Sequence, residues 1–134
     1  MNKTNSNLNF INLTGHYLTI LDEHGARILA LASDGRKAWL KNTYVARNGP
    51  EAWLASQYPA IPNHYVVNAV EIAAGEDYKQ RSPFPPEEAG TVYICAAAVC
   101  AFLREDEGRT DVYSPGKLYR RADGSIQGCL GLAY

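Results

Sequence analysis

The densest group of residues that could contact a ligand is the run 109–116, which directly follows the longest apolar segment of the chain. Arg109 offers a planar fork for phosphate, and Asp111 can accept hydrogen bonds from ribose hydroxyls. Tyr113 can stack on a base, and Ser114 adds a hydroxyl beside it. Small proteins often place ligand-contacting side chains in a polar loop at the end of a buried element. The run therefore predicts a site for a nucleotide or a phosphorylated sugar.

The same run has a second interpretation that needs no ligand. A surface ion pair between Arg109 and Asp111 would steady a turn at Pro115 and Gly116, and such a pair contributes little energy. The residues alone leave both interpretations open. No nucleophile and base accompany the run at a recognisable spacing, so we predict no catalytic residue.

A second group of basic residues follows this run. Lys117, Tyr119, Arg120 and Arg121 lie within five positions of one another. Strand alternation would place Tyr119 and Arg121 on one face and Arg120 on the other, unless the strand is bulged. We expect Arg109 and Arg120 together to hold a small anion, because charge-assisted contacts to phosphate are roughly twice as strong as neutral hydrogen bonds.

Histidine and cysteine supply the remaining candidates. Histidine side chains titrate near physiological pH, so His16 could serve as a ligand, a base or a donor to an anion, although hydrogen bonding to the backbone is the commoner role. We include His16 in the predicted ligand site. The odd count of cysteines, Cys95, Cys100 and Cys129, suits reduced, buried thiols. A catalytic role of Cys129 or His16 is left open. No zinc-type spacing of cysteines and histidines occurs, so neither a metal nor another cofactor is predicted.

Length and composition favour one ordinary domain. The 134 residues include 46% hydrophobic residues, and no apolar stretch approaches the roughly 20 residues of a membrane span. The 13 basic residues are balanced by 14 acidic ones, which argues against nucleic acid as a partner. Residues 1–9 are polar, with no basic start and no apolar core, unlike a signal peptide. We therefore expect a flexible arm at 1–9, a single domain at 10–134 and a cytoplasmic protein.

The hydrophobic pattern predicts an α+β fold with a mostly antiparallel sheet, one or two short helices and a C-terminal β-hairpin. Turn signals occur at His24-Gly25, Asp34-Gly35 and Asp123-Gly124, the last two being Asp-Gly pairs that favour tight hairpins. The connection 75–90 carries charges and prolines and predicts surface chain. Strands are predicted at 10–21, 27–32, 37–46, 64–72 and 91–95, and helices at 50–55 and 96–103.

Four segments resemble, in their order, a family of small phage and bacterial proteins that open with an Asn-Leu-Thr-Pro-His motif. They are NLTGH at 12–16, GTVYI at 90–94, RTDVYSPG at 109–116 and DGSIQGC at 123–129. The resemblance covers both ends of the chain and little of 35–75. It implies a phage-type accessory protein acting in a bacterial host cell, and it carries no assigned reaction.

The sequence departs from the family pattern at four positions. Gly15 stands where proline is usual, Ala96 where serine is frequent, Arg121 where an acidic residue is common and Leu130 where arginine is common. Arg120 matches the family arginine ahead of the final turn.

Three functions fit these observations. The first is a binding protein that captures a small nucleotide-like anion without chemistry, by analogy with the anti-Thoeris and anti-CBASS sponges that sequester immune signalling nucleotides. The second is a protein-interaction or structural module without a small-molecule ligand, and the third is a small enzyme. Nine tyrosines and two tryptophans favour an interface or a ligand surface. Surplus aromatic residues and exposed hairpin edges also predict a homo-oligomer, most simply a dimer.

Overall fold

The structure is a computed structural model that describes residues 8–46, 49, 53, 56, 57 and 64–134. The elements whose bounds can be given are strands, one short 3-10 helix and one longer α-helix. In chain order they are β1 (Asn9–Asn12), β2 (Leu18–Leu21), β3 (Arg27–Leu31), β4 (Lys37–Ala46), β5 (His64–Ala74), the 3-10 helix (Glu76–Tyr78), β6 (Gln80–Pro83), β7 (Thr91–Ile94), α1 (Ala97–Glu107), β8 (Val112–Arg120) and β9 (Ile126–Ala133).

The chain divides into two compact units. The first consists of Met1–Trp39 with Val70–Tyr134, and the second of Leu40–Ala69. Strands β4 and β5 each continue through both units, so the chain passes from one unit to the other within a strand. The extent of a single domain over 10–134 stays a prediction.

Two sheets are present in the described part of the chain. The larger has six strands in the order β1-β7-β8-β9-β2-β3, and the smaller has three in the order β4-β5-β6. The α+β class is confirmed, but the larger sheet is mixed rather than mostly antiparallel. Its pairs β1–β7, β7–β8 and β2–β9 are parallel, and β8–β9 and β2–β3 are antiparallel. Turn signals reveal hairpins, whereas parallel partners meet only through long connections that leave no local signal.

The first predicted strand, 10–21, is wrong in one respect, because it forms two strands separated by a turn. Asn12 ends β1, and the chain resumes as β2 at Leu18 on the far side of the six-stranded sheet. The outer strands β1 and β3 nevertheless meet at one end. The Asn12 amide donates to the Leu31 carbonyl at 3.1 Å, and the Asp34 N–H donates to the Asn12 carbonyl at 3.0 Å. These hydrogen bonds connect the end of edge strand β1 to the end of edge strand β3 and to the residues that follow it.

Helix α1 connects the parallel strands β7 and β8. Val99, Cys100 and Leu103 lie at helical spacing and are buried, as the apolar pattern of 96–103 predicts. The helix extends four residues further, to Glu107. Gly108 then adopts a left-handed conformation with φ 66°, which lets the Arg109 N–H donate back to the Leu103 carbonyl at 3.0 Å. Within the described ranges, no helix has the length and apolar character needed to cross a membrane.

The predicted C-terminal hairpin is confirmed as β8 and β9. The Asp123 carboxylate accepts from the Ser125 N–H at 2.9 Å and organises the turn between them. The predicted loop at 109–116 is partly wrong, because its second half, from Val112 onward, lies in β8. Gly116 fits there because a Cβ would stand 2.1 Å from the Leu130 carbonyl oxygen. Cross-strand packing, rather than a turn, accounts for this glycine.

The remaining element predictions have mixed outcomes. The strands predicted at 27–32, 37–46, 64–72 and 91–95 are present with small shifts of their ends. Asp34-Gly35 does not close a hairpin, since β3 and β4 belong to different sheets. The connection 75–90 contains the 3-10 helix and β6 rather than surface chain alone. Of the predicted helix 50–55 only Trp53 is among the described residues, and it is helical. Most of the predicted arm 1–9 lies outside the described residues.

Candidate functional site

Arg109 and Asp111, the first two predicted ligand residues, form a nearly buried latch. Asp111 accepts from Arg109 through both carboxylate oxygens, at 2.9 Å from Nε and 2.8 Å from Nη2. The Nη1 atom of Arg109 donates to the Pro85 carbonyl at 2.9 Å, and its guanidinium lies 5.0 Å from the ring centre of Phe84. Arg109 is only 8% exposed. All three guanidinium nitrogens are therefore engaged by the protein.

The electrostatics of the latch agree with this geometry. The hydrogen bonds that Arg109 donates to Asp111 raise the pKa of Arg109 against the opposing effect of burial, and the carboxylate of Glu87 lies 3.5 Å from Nε as a further acid partner. A bidentate pair with little exposure holds its geometry better than an exposed pair. The latch joins the start of β8 to the connection that follows β6. The alternative that the sequence left open, a structural ion pair, thus describes these contacts.

Tyr113 and Ser114 lie in β8 beyond the latch. Tyr113 is half-buried and packs edge to face against Tyr134, with ring centres 5.3 Å apart. Ser114 is buried opposite Ala133 of β9. These two side chains contribute to packing between β8 and the C-terminal strand.

Arg120 lies at the other end of β8 from Arg109. The strand is nine residues long, and at roughly 3.3 Å per residue it spans about 26 Å. The pairing with β9 is irregular between Tyr119 and Arg120, and the exposed Arg120 guanidinium donates to the Gly124 carbonyl at 2.9 Å. A small anion cannot contact both arginines across this span. The prediction that Arg109 and Arg120 bind one small anion together does not fit this distance. A role for either residue alone in ligand binding stays a prediction.

His16 belongs to a turn built by the side chain of Asn12. The Asn12 amide donates to the His16 carbonyl at 2.6 Å, and its oxygen accepts from the Thr14 N–H at 3.0 Å and the Thr14 hydroxyl at 2.7 Å. The Thr14 hydroxyl in turn accepts from the His16 N–H at 3.2 Å. Asn12 is 2% exposed. The N–H and carbonyl of His16 are thus hydrogen-bonded within the turn, and its side chain is exposed.

The imidazole of His16 lines a groove of about 320 Å³ together with Cys129, the cysteine that the sequence left open as a catalytic thiol. Cys129 is buried, however, and its thiol lies 3.7 Å from the Thr19 carbonyl. Cys95 and Cys100 are buried in the core as well, as predicted. The hydrogen bond to Cys100, together with burial, raises the pKa of Cys95. The same hydrogen bond lowers the pKa of Cys100. All three thiols are buried, and burial does not favour a nucleophile.

A different arrangement of aromatic and basic side chains forms a cleft in the first unit. Its lining residues are Lys37, Trp39, Ala73, Tyr78 and Arg81, and its volume is about 190 Å³. We call it the Trp39 cleft. The Arg81 guanidinium lies over the indole of Trp39, with Cζ 4.1 Å from the ring centre, and Trp39 is 38% exposed. Stacked π surface and positive charge thus occur side by side.

Tyr78 enters this cleft from a strained turn. Asp77 and Tyr78 both have φ 54°, a left-handed conformation that is uncommon for residues other than glycine. A Cβ on Gly15 would lie 3.6 Å from the Tyr78 hydroxyl and 3.3 Å from Cδ of Lys37. The turn that follows Asn12 therefore lies against the cleft. Strained backbone of this kind is concentrated at functional sites, and here it occurs at a residue that lines the cleft.

The cleft presents hydrogen-bond donors and no acid side chain. Within the described ranges, neither Lys37 nor Arg81 forms an ion pair, in contrast to Arg109. The Tyr78 hydroxyl likewise has no hydrogen-bond partner among the described residues. Two cations without an ion pair, beside a partly exposed aromatic side chain, suit an anion that carries a flat ring.

The sequence reasoning missed this cleft. Lys37 and Trp39 stand in an ordinary strand pattern, and Tyr78 and Arg81 lie about 40 residues later, in the connection predicted as surface chain. Their alternation offers a partial signal, since Lys37 and Trp39 are two residues apart and so share a strand face. The pairing of β6 with β5 was missed, because the sequence of β6 lies in the connection 75–90, which was predicted as surface chain.

Comparison with known proteins gives no match. No family model matches the sequence, and no curated protein or solved structure is significantly similar to the chain. The resemblance in motif order to small phage and bacterial proteins stays a prediction.

Proposed function

We propose that this protein binds a small nucleotide-like anion in the Trp39 cleft and acts as a phage-type accessory protein that sequesters it. Immune signalling nucleotides are one class of ligand that such a sponge would take. The proposal assigns no reaction to the protein. It retains the ligand class expected from the sequence and moves the site from the Arg109 run to Lys37, Trp39, Tyr78 and Arg81.

The observation that carries the proposal is the stacking of Arg81 on Trp39 beside an unpaired Lys37. Base stacking on an aromatic side chain is worth about 1–3 kcal/mol. Each hydrogen bond from a cationic side chain to a phosphate adds about 1.5–3 kcal/mol. Arg81 and Lys37 need not break an ion pair with any described residue to make such bonds. Arg109 would have to give up Asp111 first.

Calorimetric titration with nucleoside phosphates and cyclic dinucleotides tests the proposal. We expect the parent protein to bind at least one of them, and Arg81→Ala to weaken binding about tenfold or more. Arg120→Ala is the matched control, because it removes an exposed arginine remote from the cleft and should leave binding unchanged. Both variants should keep the melting temperature of the parent.

Two results would contradict the proposal. Absence of binding by the parent across the panel would remove the function itself. Loss of binding in Arg120→Ala with full binding in Arg81→Ala would return the site to the β8–β9 hairpin.

A protein-interaction module is the second candidate function, and the second unit favours it. Every described residue of Leu40–Ala69 is exposed or half-buried, and several of these side chains are large and apolar. They are Tyr44, Trp53, Tyr65, Val66 and Val67. Such a surface suits self-association, which the sequence also predicts.

A further inference from the structure

We infer that the Trp39 cleft takes a purine nucleoside monophosphate unit by exchange, in which the base replaces the Arg81 guanidinium on the indole and the released Arg81 binds the phosphate. The inference rests on the proposed function and deepens it. It assigns a separate task to each of three residues. Trp39 is the base platform, Arg81 is the mobile phosphate ligand and Lys37 is a second phosphate ligand.

The exchange follows from what covers Trp39 in the free protein. The guanidinium of Arg81 lies 4.1 Å from the ring centre and so occupies the face on which a base would stack. A cation–π contact at an exposed site is weak, and stacking of a base on an aromatic ring is stronger. The base therefore displaces the guanidinium when both compete for this face.

Once a base has displaced it from the indole, the Arg81 guanidinium is available to bind an anion. Arg81 is exposed, and its guanidinium makes no hydrogen bond or ion pair with another described residue. A phosphate accepts two parallel bonds from a guanidinium fork. The ammonium of Lys37 and the hydroxyl of Tyr78 line the same cleft and supply further donors. The lining contains no carboxylate that would repel the phosphate.

The size of the cleft sets the size of the ligand unit. Its volume of about 190 Å³ is below the roughly 300–1,000 Å³ of sites that enclose a whole drug-sized ligand. One base and one phosphate fill it, and any second nucleotide of a larger ligand extends into solvent. A purine matches the bicyclic indole and gains the larger stacking area.

Opposite effects on adenosine and AMP test the exchange. We compare the parent protein with Arg81→Gln and Lys37→Gln by calorimetry. Arg81→Gln uncovers Trp39 and removes a phosphate ligand, so adenosine should bind about two- to fivefold more tightly and AMP about tenfold or more weakly. Lys37→Gln is the matched control. It removes a phosphate ligand without uncovering the indole, so it should weaken AMP and leave adenosine unchanged.

Fluorescence gives an independent readout of the platform. The chain has two tryptophans, and Trp53→Phe leaves Trp39 as the single emitter. AMP should quench this emission by stacking, and inorganic phosphate should compete with AMP without quenching to the same depth. The parent protein in calorimetry remains the reference if Trp53→Phe lowers stability.

The outcomes separate this inference from the proposed function. Equal weakening of adenosine and AMP by Arg81→Gln would show that the base stacks on the guanidinium instead of replacing it, and would overturn the exchange. Binding of AMP without quenching of Trp39 would overturn it as well. In both cases nucleotide binding itself would stand. Failure of the parent to bind any nucleotide would overturn the exchange and the proposed function together.

Discussion

At the scale of single residues, the polar side chains that stand out in the sequence have structural contacts. Asn12 and Thr14 organise a turn, and Arg109 and Asp111 form a latch. A buried polar group is costly unless it is hydrogen-bonded, so a fold that buries such groups must supply partners for each of them. The sequence shows which residue types are available for binding. It does not show whether the fold has already used their donors and acceptors.

Asn12→Ala tests the structural role of the segment NLTGH at 12–16. The substitution removes four hydrogen bonds of the Asn12 amide group and leaves the His16 and Leu31 carbonyls without this donor. An unsatisfied buried group costs about 1–3 kcal/mol, so we expect the free energy of unfolding to fall by about 3 kcal/mol. Urea unfolding measures it. Ser125→Ala, at an exposed turn, is the control and should change stability by less than about 1 kcal/mol.

Arg109→Ala separates a structural latch from a ligand site. Removing the guanidinium leaves Asp111 and the Pro85 carbonyl without their charged donor. Breaking a buried pair costs about 3–5 kcal/mol, and the partial exposure of Asp111 reduces this to about 2–3 kcal/mol. We expect a lower melting temperature and unchanged affinity for nucleotides. A stable variant that has lost nucleotide binding would instead place the ligand at Arg109.

At the scale of elements, local signals predicted the hairpins and the helix, and long-range pairing escaped prediction. The Asp123-Gly124 turn and the spacing of Val99 and Leu103 are properties of short windows, which sequence displays directly. The break after Asn12 was missed because alternation of apolar residues resumes at Leu18 on a different strand. The parallel partners of β7 and the edge strand β6 depend on contacts remote in sequence, which no short window contains.

The two hairpin turns predict how stability depends on pH. The N–H groups of Ala26 and His24 lower the pKa of Asp22, and the hydroxyl and N–H of Ser125 lower the pKa of Asp123. Because the folded pKa values lie below the unfolded value near 3.9, the unfolded chain binds more protons between them. The stabilisation is therefore present above about pH 4 and lost as the pH falls through the folded values.

Thermal melts between pH 2 and 6 check this dependence. We expect the melting temperature to fall on acidification, and we expect the double variant Asp22→Asn, Asp123→Asn to show a shallower fall. Its neutral amides still accept hydrogen bonds but do not titrate. A variant whose acid profile has the same slope as that of the parent would exclude the two turns as its source.

At the scale of the whole molecule, the candidate site combines parts of the chain that the sequence treats as unrelated. Lys37 and Trp39 come from the start of β4, and Tyr78 and Arg81 from the turn and strand after β5. The net charge of −1 conceals a cleft lined by two cations and by no acidic residue. The proposed ligand class rests on residue types, but the location of the proposed site requires the sheet order β4-β5-β6.

Self-association is the last property that belongs to the whole molecule. A two-stranded ribbon is marginally stable in water by itself, and the described residues of Leu40–Ala69 include none that is buried. Burying an apolar side chain stabilises by about 1.5–3 kcal/mol, so a second copy that covered Tyr44 and Val67 would gain several kcal/mol. We expect light scattering to show a homodimer at micromolar concentration and the double variant Tyr44→Lys, Val67→Lys to be monomeric. Tyr17→Lys, an exposed tyrosine of the first unit, is the control and should stay dimeric. A monomeric parent protein, or a dimer that persists in the double variant, would show that these side chains do not form the contact.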